Sequence, residues 1–143
     1  MLVSQIIKQK GGEVFSVSPE LTLKEAAREL TERRVGALVV LDGARVAGIF
    51  SERDVVRELA EGGEGALSRP VSSAMTHEVI SASPQETVDA LLGRMTDRRV
   101  RHLPVLGHDG ELCGLVSIGD LVKHKISEVE AEAQTLKDYI VAG

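Results

Sequence analysis

Aromatic residues, cysteine and long apolar runs are all scarce in this sequence. Aromatic residues make up 2% of its 143 residues, tryptophan is absent, and Cys113 is the single cysteine. One cysteine excludes an intrachain disulfide, and so few aromatic rings argue against single-stranded nucleic-acid binding, which depends on base stacking. No apolar run approaches the length of a membrane-spanning helix, and the first residues lack the apolar core of a signal peptide. We therefore predict a cytoplasmic protein without a membrane partner.

Positive charge is also in deficit. The chain has 17 lysines and arginines against 22 acidic residues, a formal net charge of −5. This balance argues against a nucleic-acid partner, although the basic cluster R-R-V-R-H at residues 98–102 keeps that alternative open. The four histidines lack the spacing of a zinc site, and no serine has the G-x-S-x-G context of a nucleophile. No metal ion, catalytic residue or catalytic cofactor is predicted.

What the sequence does contain is a duplication. The segment V-F-S-V-S-P at 14–19 returns as V-I-S-A-S-P at 79–84, and R-R-V at 33–35 returns at 98–100. After a turn, G-I-F-S-E-R-D at 48–54 returns as G-L-V-S-I-G-D at 114–120. A solenoid needs about three units to bury a continuous core. Two copies instead predict a closed pair related by a pseudo-two-fold axis, with two related clefts.

Each copy has the order strand, helix, strand, strand, helix. In the first copy Thr22 starts a helix, Ala37–Leu41 is an apolar strand, and Asp42–Gly43 is a hairpin turn into a strand at 46–50. The second copy has strands at 79–82, 103–106 and 111–116, and helices over 87–98 and from Ser117. The predicted fold is α/β (α+β), two β-α-β-β-α repeats with a short N-terminal and a longer C-terminal helix. The predicted division is 1–65, 66–125 and an amphipathic helix at 126–143.

A serine and an aspartate three residues apart begin the last helix of each copy, at Ser51–Asp54 and Ser117–Asp120. The structural explanation is a capping box. The functional explanation is a site for a phosphorylated sugar, because a helix N-terminus attracts phosphate and an acidic side chain accepts ribose hydroxyls.

The span from about residue 12 to 125 resembles a tandem pair of CBS domains, named for cystathionine β-synthase, in the arrangement called a Bateman module. The matching pattern is an entry strand ending in Ser-Pro, then R-R-V-x-x-L-x-V, a turn, and G-h-h-S-x-x-D, where h is apolar; the series occurs twice in the same order. The resemblance implies a compact disc that often pairs into dimers. It also implies binding of an adenosine nucleotide such as AMP, ATP, NAD or S-adenosylmethionine.

Carried onto this sequence, the resemblance implies two clefts, each drawing on both repeats. In the first, Asp120 holds the ribose, Ser117 binds a phosphate or ribose oxygen, and Arg101 and His102 face the phosphates. The adenine is bordered by Gly12, Val35 and Ala37. The second has Asp54 and Ser51 as the sugar-phosphate residues, with His77, Val100 and Ser72 around the base, and Arg53 within reach of either cleft. Because the basic pair Arg101–His102 has only Gly36–Ala37 as its counterpart, the Asp120 cleft is predicted to bind phosphate more strongly.

The sequence thus predicts a stand-alone, non-catalytic regulatory protein that senses an adenosine nucleotide and forms a homodimer. Three alternatives remain open: a constitutive dimerisation scaffold with empty clefts, a small nucleotide-using enzyme, and a nucleic-acid binder. The last helix carries a heptad-like apolar seam that docks either on its own core or on a twin subunit: Ile126, Val129, Ala133, Leu136 and Ile140.

Overall fold

The order of helices and strands repeats along the chain in the computed structural model, which describes residues 1–142. The helices are α1 (Val3–Lys10), α2 (Leu23–Arg33), α3 (Glu52–Gly62), α4 (Val88–Arg98) and α5 (Ile118–Ala142). The strands are β1 (Ser16–Val17), β2 (Ala37–Asp42), β3 (Arg45–Ser51), β4 (His102–Leu106) and β5 (Leu112–Ser117). Short 3₁₀ turns at Gly63–Ser68 and Val71–Ser73 join the copies. The predicted α+β class with two tandem repeats is confirmed.

The first helix of each repeat begins at an equivalent threonine. The Thr22 hydroxyl accepts a hydrogen bond from the Glu25 amide at 3.2 Å, and the Thr87 hydroxyl accepts one from the Ala90 amide at 3.1 Å. Such caps satisfy amides that have no partner within the helix. The predicted helix start at Thr22 is confirmed.

The two sheets differ at their entry strands. In the first repeat β1 pairs in parallel with β2, and β2 pairs with β3 in an antiparallel hairpin. In the second repeat β4 and β5 form the hairpin, but the predicted strand at 79–82 is reduced to one bridge between Ala82 and Val105. The reason is Pro104: its counterpart Val39 donates an amide hydrogen bond to Phe15 O at 3.3 Å, and proline has no amide hydrogen to donate.

Each repeat packs its lead-in segment on the other repeat. The core around β2 and β3 includes residues of the connector before the second repeat, namely Val71, Ala74 and Met75. The core around β4 and β5 includes Val3 and Ile6 of α1, which precedes the first repeat. Equivalent hydrogen bonds fix the exchange: Val3 N donates to Glu86 O at 2.9 Å, and Val71 N donates to Leu21 O at 2.7 Å. Each core is therefore built from two separate parts of the chain.

Two equivalent glycines let the exchanged segments approach the hairpins. A Cβ on Gly48 would lie 2.8 Å from the Thr76 carbonyl oxygen and 2.6 Å from Met75 Sδ. A Cβ on Gly114 would lie 2.5 Å from Cδ1 of Ile7. Both sites therefore lack room for a side chain, but only the first is crowded by backbone.

Helix α5 is one continuous element of 25 residues, whereas the sequence pattern indicates a second-repeat helix followed by a separate terminal helix. No residue between Ser117 and Ala142 interrupts the helix, since proline is absent there and Gly119 lies in the first turn. Within residues 1–142, none of the helices combines the length and apolarity needed to cross a bilayer.

Candidate functional site

Two cavities lie between the repeats, and both repeats line each of them. The larger, about 370 Å³, is lined by Gly36 and by residues from the segments 49–57, 76–80 and 99–102; we call it the Asp54 cleft. The smaller, about 290 Å³, is lined by residues from the segments 10–15 and 34–37 together with His102, Leu115 and Ser117. We call it the Asp120 cleft, because Asp120 is hydrogen-bonded to Ser117 at its edge.

Asp54 is buried, and both of its carboxylate oxygens are bonded within the protein. Oδ2 accepts from the Ser51 amide at 2.8 Å and from the Ser51 hydroxyl at 3.3 Å. Oδ1 accepts from Nη1 of Arg57 at 3.0 Å, and Nη2 of Arg57 donates to the Ala74 carbonyl at 2.8 Å. Arg57 thereby ties α3 to the connector. A sugar hydroxyl that binds Asp54 must compete with this guanidinium.

Asp120 is more accessible and retains one open oxygen. Its Oδ2 accepts from the Ser117 amide at 2.9 Å and from Nζ of Lys10 at 2.6 Å, while its own amide donates to the Ser117 hydroxyl at 3.1 Å. Oδ1 accepts no hydrogen bond from residues 1–142. Burial opposes ionisation, but the donors on Lys10 and Ser117 outweigh it and lower the pKa of Asp120 below its ordinary value. The carboxylate is therefore charged at neutral pH, with Oδ1 open to a hydroxyl donor.

A strained arginine occupies the same place in both clefts. Arg34 and Arg99 end α2 and α4 in the left-handed conformation, with φ of 56° and 55°. This conformation costs a residue with a side chain roughly 1 kcal/mol, and glycine is the usual residue at such helix ends. Arg34 lines the Asp120 cleft and Arg99 lines the Asp54 cleft. Both strained positions therefore hold an arginine at the edge of a cleft.

Most predicted site residues lie at the clefts to which they were assigned. The Asp54 cleft contains Ser51, Arg53, Asp54 and Val100, and the Asp120 cleft contains Val35, Ala37, His102 and Ser117. Four predicted residues line neither cavity: Gly12, Ser72, His77 and Asp120. Asp120 is bonded to Lys10 and Ser117, which do line the Asp120 cleft. Gly12 lies close to the Cys113 carbonyl, the Ser72 amide donates to Pro19 O at 3.1 Å, and His77 is exposed. The binding roles of all these residues stay predictions.

Arg101 lies in the other cleft from the one predicted. It lines the Asp54 cleft, and His102 lies on the wall that separates the two cavities and lines both. The pseudo-two-fold relation explains the difference: residues 34–37 before β2 face the Asp120 cleft, so residues 99–102 before β4 face the Asp54 cleft. Gly36 also borders both cavities. A Cβ placed on Gly36 would lie 3.6 Å from the His102 ring. Burial, followed by the nearby positive charges of Lys10 and Arg101, lowers the pKa of His102.

Several charged residues at the clefts are not among the predicted site residues: Lys10, Arg34, Arg57, Glu78 and Arg99. The duplicated R-R-V motif was a signal for two of them, because its second arginine is the cleft residue in each repeat. Lys10 gave no such signal, since the lead-in of the second repeat is shorter and has no lysine in this place. Within the described part of the chain, no group of three His, Cys, Asp or Glu side chains is arranged to hold a metal ion.

The family model for the CBS domain matches residues 3–61 and 71–127. This match covers most of the chain in two copies, and the protein therefore belongs to the CBS domain family.

Several similar proteins are stand-alone CBS-domain proteins. The structure of the CBS-domain-containing protein ATU1752 from Agrobacterium tumefaciens is 40% identical with a TM-score of 0.85, and the match covers 87% of this chain and 99% of that one. The mitochondrial CBS domain-containing protein CBSX3 of Arabidopsis thaliana is 35% identical over 99% of this chain and 72% of its own length. The CBS domain protein PAE2072 from Pyrobaculum aerophilum, solved in complex with AMP, is 27% identical with a TM-score of 0.75, over 84% of this chain and 89% of that one.

Proposed function

We propose that the protein is a non-catalytic regulatory module that binds an adenosine nucleotide, with AMP as the first candidate, in the clefts between its repeats. One observation carries the proposal: each cleft sets a Ser-x-x-Asp helix start from one repeat opposite an arginine-bearing segment of the other. The AMP complex of the PAE2072 protein supports the choice of ligand. The predicted homodimer and the cytoplasmic location stay predictions.

The phosphate of the ligand is assigned to the Asp54 cleft. Arg53, Arg99 and Arg101 line it, and none of them forms a salt bridge with a carboxylate of residues 1–142. The N-terminus of α3 adds the partial positive charge of a helix start. The pair Arg101–His102 predicts stronger phosphate binding in the cleft that it lines. Since Arg101 lines the Asp54 cleft, this pair favours the Asp54 cleft over the Asp120 cleft.

The carboxylates of the same cleft favour a nucleotide over inorganic phosphate. Glu52 and Glu78 line the Asp54 cleft beside Asp54. Carboxylates accept hydrogen bonds from the hydroxyls of a ribose and the amino group of adenine, but they repel a bare anion. A ligand with a phosphate at one end and hydrogen-bond donors at the other matches both sets of groups.

The Asp120 cleft is assigned to a second, separable binding event. Oδ1 of Asp120 is open to a ribose hydroxyl, and Lys10 and Arg34 supply the positive charge. Because residues from both repeats line each cleft, a ligand that bridges them favours the closed arrangement over any more open one. Such a ligand shifts the equilibrium only by its difference in affinity for the two states.

A constitutive dimerisation scaffold remains the second candidate, and one observation favours it. Both aspartates already act as helix caps and both are paired with a cation of the protein itself, Arg57 for Asp54 and Lys10 for Asp120. In this reading the serines and acids are structural, and no ligand needs to enter.

Thermal unfolding with AMP, ATP, NAD, S-adenosylmethionine and adenosine separates the two candidates. A ligand at 100 times its Kd adds about 2.7 kcal/mol to the free energy of unfolding, so AMP should raise the Tm clearly. A Tm that none of the five compounds raises would favour the dimerisation scaffold.

Incubation with ATP followed by product analysis should show no turnover, and turnover would favour the enzyme alternative. Binding of an oligonucleotide that weakens with salt would favour the nucleic-acid alternative.

Calorimetric titration of AMP into two variants tests the assignment of the clefts. Asp120→Ala should remove one binding event while leaving the other, and Asp54→Ala should affect the other event. Arg101→Ala should weaken the Asp54 event at least tenfold, and Lys8→Ala, an exposed lysine on α1 outside both cavities, serves as the control. Unchanged AMP binding in both aspartate variants would refute the assignment of the two binding events to the two clefts.

A further inference from the structure

One imidazole ring separates the two clefts. His102 begins β4 and is half-buried, and it lines both the Asp54 cleft and the Asp120 cleft. Among residues 1–142, the only other residue that lines both cavities is Gly36. A Cβ placed on Gly36 would lie 3.6 Å from Cε1 and from Nε2 of His102. The ring therefore fills the space over Gly36 and closes the gap between the two cavities.

The first repeat supplies no side chain that closes this gap from the other side. The residue equivalent to His102 is Ala37, and the residue equivalent to Arg101 is Gly36. The backbone at Gly36 is fixed, because Glu52 N donates a hydrogen bond to its carbonyl oxygen at 3.1 Å. A single side chain, contributed by the second repeat alone, thus divides the space between the repeats into two cavities.

The groups around the ring would suit a ligand with two nucleotide halves if the ring were absent. Lys10 lines the Asp120 cleft and Arg101 lines the Asp54 cleft, and both place positive charge near the ring. Asp54 lies in one cleft and Asp120 lies at the edge of the other. A dinucleotide such as NAD carries a ribose in each half and two linked phosphates between them. The imidazole ring occupies the place through which the linked phosphates would pass.

We propose that His102 determines the class of nucleotide that the protein accepts, because it creates two mononucleotide sites and prevents a dinucleotide from spanning both. This inference rests on the proposed nucleotide function and adds to it a preference for mononucleotides over dinucleotides. In the original protein NAD can place only one of its halves in a cleft, so its other half adds no affinity. Without the ring both halves bind at once, and joining two binding groups in one ligand raises its affinity.

Calorimetric titration of the full chain with AMP and with NAD tests this role in His102→Ala, which gives the second repeat the residue type of its counterpart Ala37. The original protein should bind two AMP molecules per chain, and its Kd for NAD should be no lower than its Kd for AMP. In His102→Ala the ratio of the NAD Kd to the AMP Kd should fall at least tenfold, with one NAD bound per chain. The ratio is the deciding quantity because a lost contact between His102 and phosphate weakens both ligands.

His108→Ala is the matched control. His108 is exposed in the turn between β4 and β5 and lines neither cavity, so this variant should leave the ratio unchanged. Nicotinamide mononucleotide, the other half of NAD, checks that the gain comes from joining the two halves. In His102→Ala its Kd relative to that of AMP should stay within about threefold of the original ratio. Circular dichroism checks that both variants are folded.

Three results would overturn the role of His102. They are an unchanged ratio in His102→Ala, an equal fall of the ratio in His108→Ala, and an original protein that binds one NAD per chain more tightly than AMP. Absence of AMP binding in the original protein would instead refute the proposed function on which this inference rests.

Discussion

Replacing Gly48 by alanine tests how closely the connector approaches the first hairpin. The new Cβ would lie 2.8 Å from the Thr76 carbonyl oxygen, a backbone atom that cannot rotate away. Thr76 is held by two hydrogen bonds to Ile49, from Ile49 N to Thr76 O at 3.1 Å and from Thr76 N to Ile49 O at 2.9 Å. Overpacking costs about 1–3 kcal/mol, and each backbone hydrogen bond that weakens costs about 1 kcal/mol. We expect Gly48→Ala to lower the free energy of unfolding by about 2–4 kcal/mol.

The equivalent Gly114→Ala is the matched control for this prediction. The three atoms nearest to its Cβ all belong to the Ile7 side chain, whose Cδ1 is the flexible end and can rotate away. We therefore expect a loss of at most about 1 kcal/mol, with the gain in strand propensity of alanine over glycine offsetting part of it. Urea unfolding followed by circular dichroism measures both values. Equal losses in the two variants, or a loss below about 1 kcal/mol for Gly48→Ala, would refute the reasoning.

Three further predictions follow from the charged groups of the clefts. Arg99→Gly should raise the free energy of unfolding by about 0.5–1 kcal/mol, because glycine accepts the left-handed conformation without strain, and should weaken AMP binding in a titration. Burial lowers the pKa of His102, and a bound phosphate favours its protonated form, so AMP binding should tighten more with falling pH in the original protein than in His102→Gln; equal pH profiles would exclude this coupling. Lys10→Met should lower the free energy of unfolding above about pH 4, where the depressed pKa of Asp120 contributes, and the difference from the original protein should shrink as the pH falls through the folded-state pKa of Asp120; a difference that does not shrink with falling pH would contradict it.

Local chemistry made the repeated elements predictable. Thr22 starts a helix because its hydroxyl satisfies an amide of the first turn, and Asp42–Gly43 turns a hairpin because glycine accepts a positive φ, which is 65° at Gly43. The spacing of Ser51 and Asp54 likewise indicated the helix cap that is present. All of these depend on contacts between residues a few positions apart.

Predictions that depended on distant contacts succeeded less well. The strand expected at 79–82 needed an amide hydrogen at position 104, on a different strand, where proline has none. The position of Arg101 followed from the relation between the two repeats rather than from its own neighbours. The exchange of lead-in segments left no periodic trace, because Val3 and Val71 look like any apolar residue before a loop.

Because the lead-in segments are exchanged, cleaving the chain between the repeats divides both cores. A break in the glycine-rich link at 63–68 would yield two pieces, and each piece would carry the lead-in segment that packs in the core of the other. Neither piece should fold when produced by itself, whereas the two mixed together should reassemble into the native molecule. The duplicated halves are thus mutually dependent, and they should melt in a single transition.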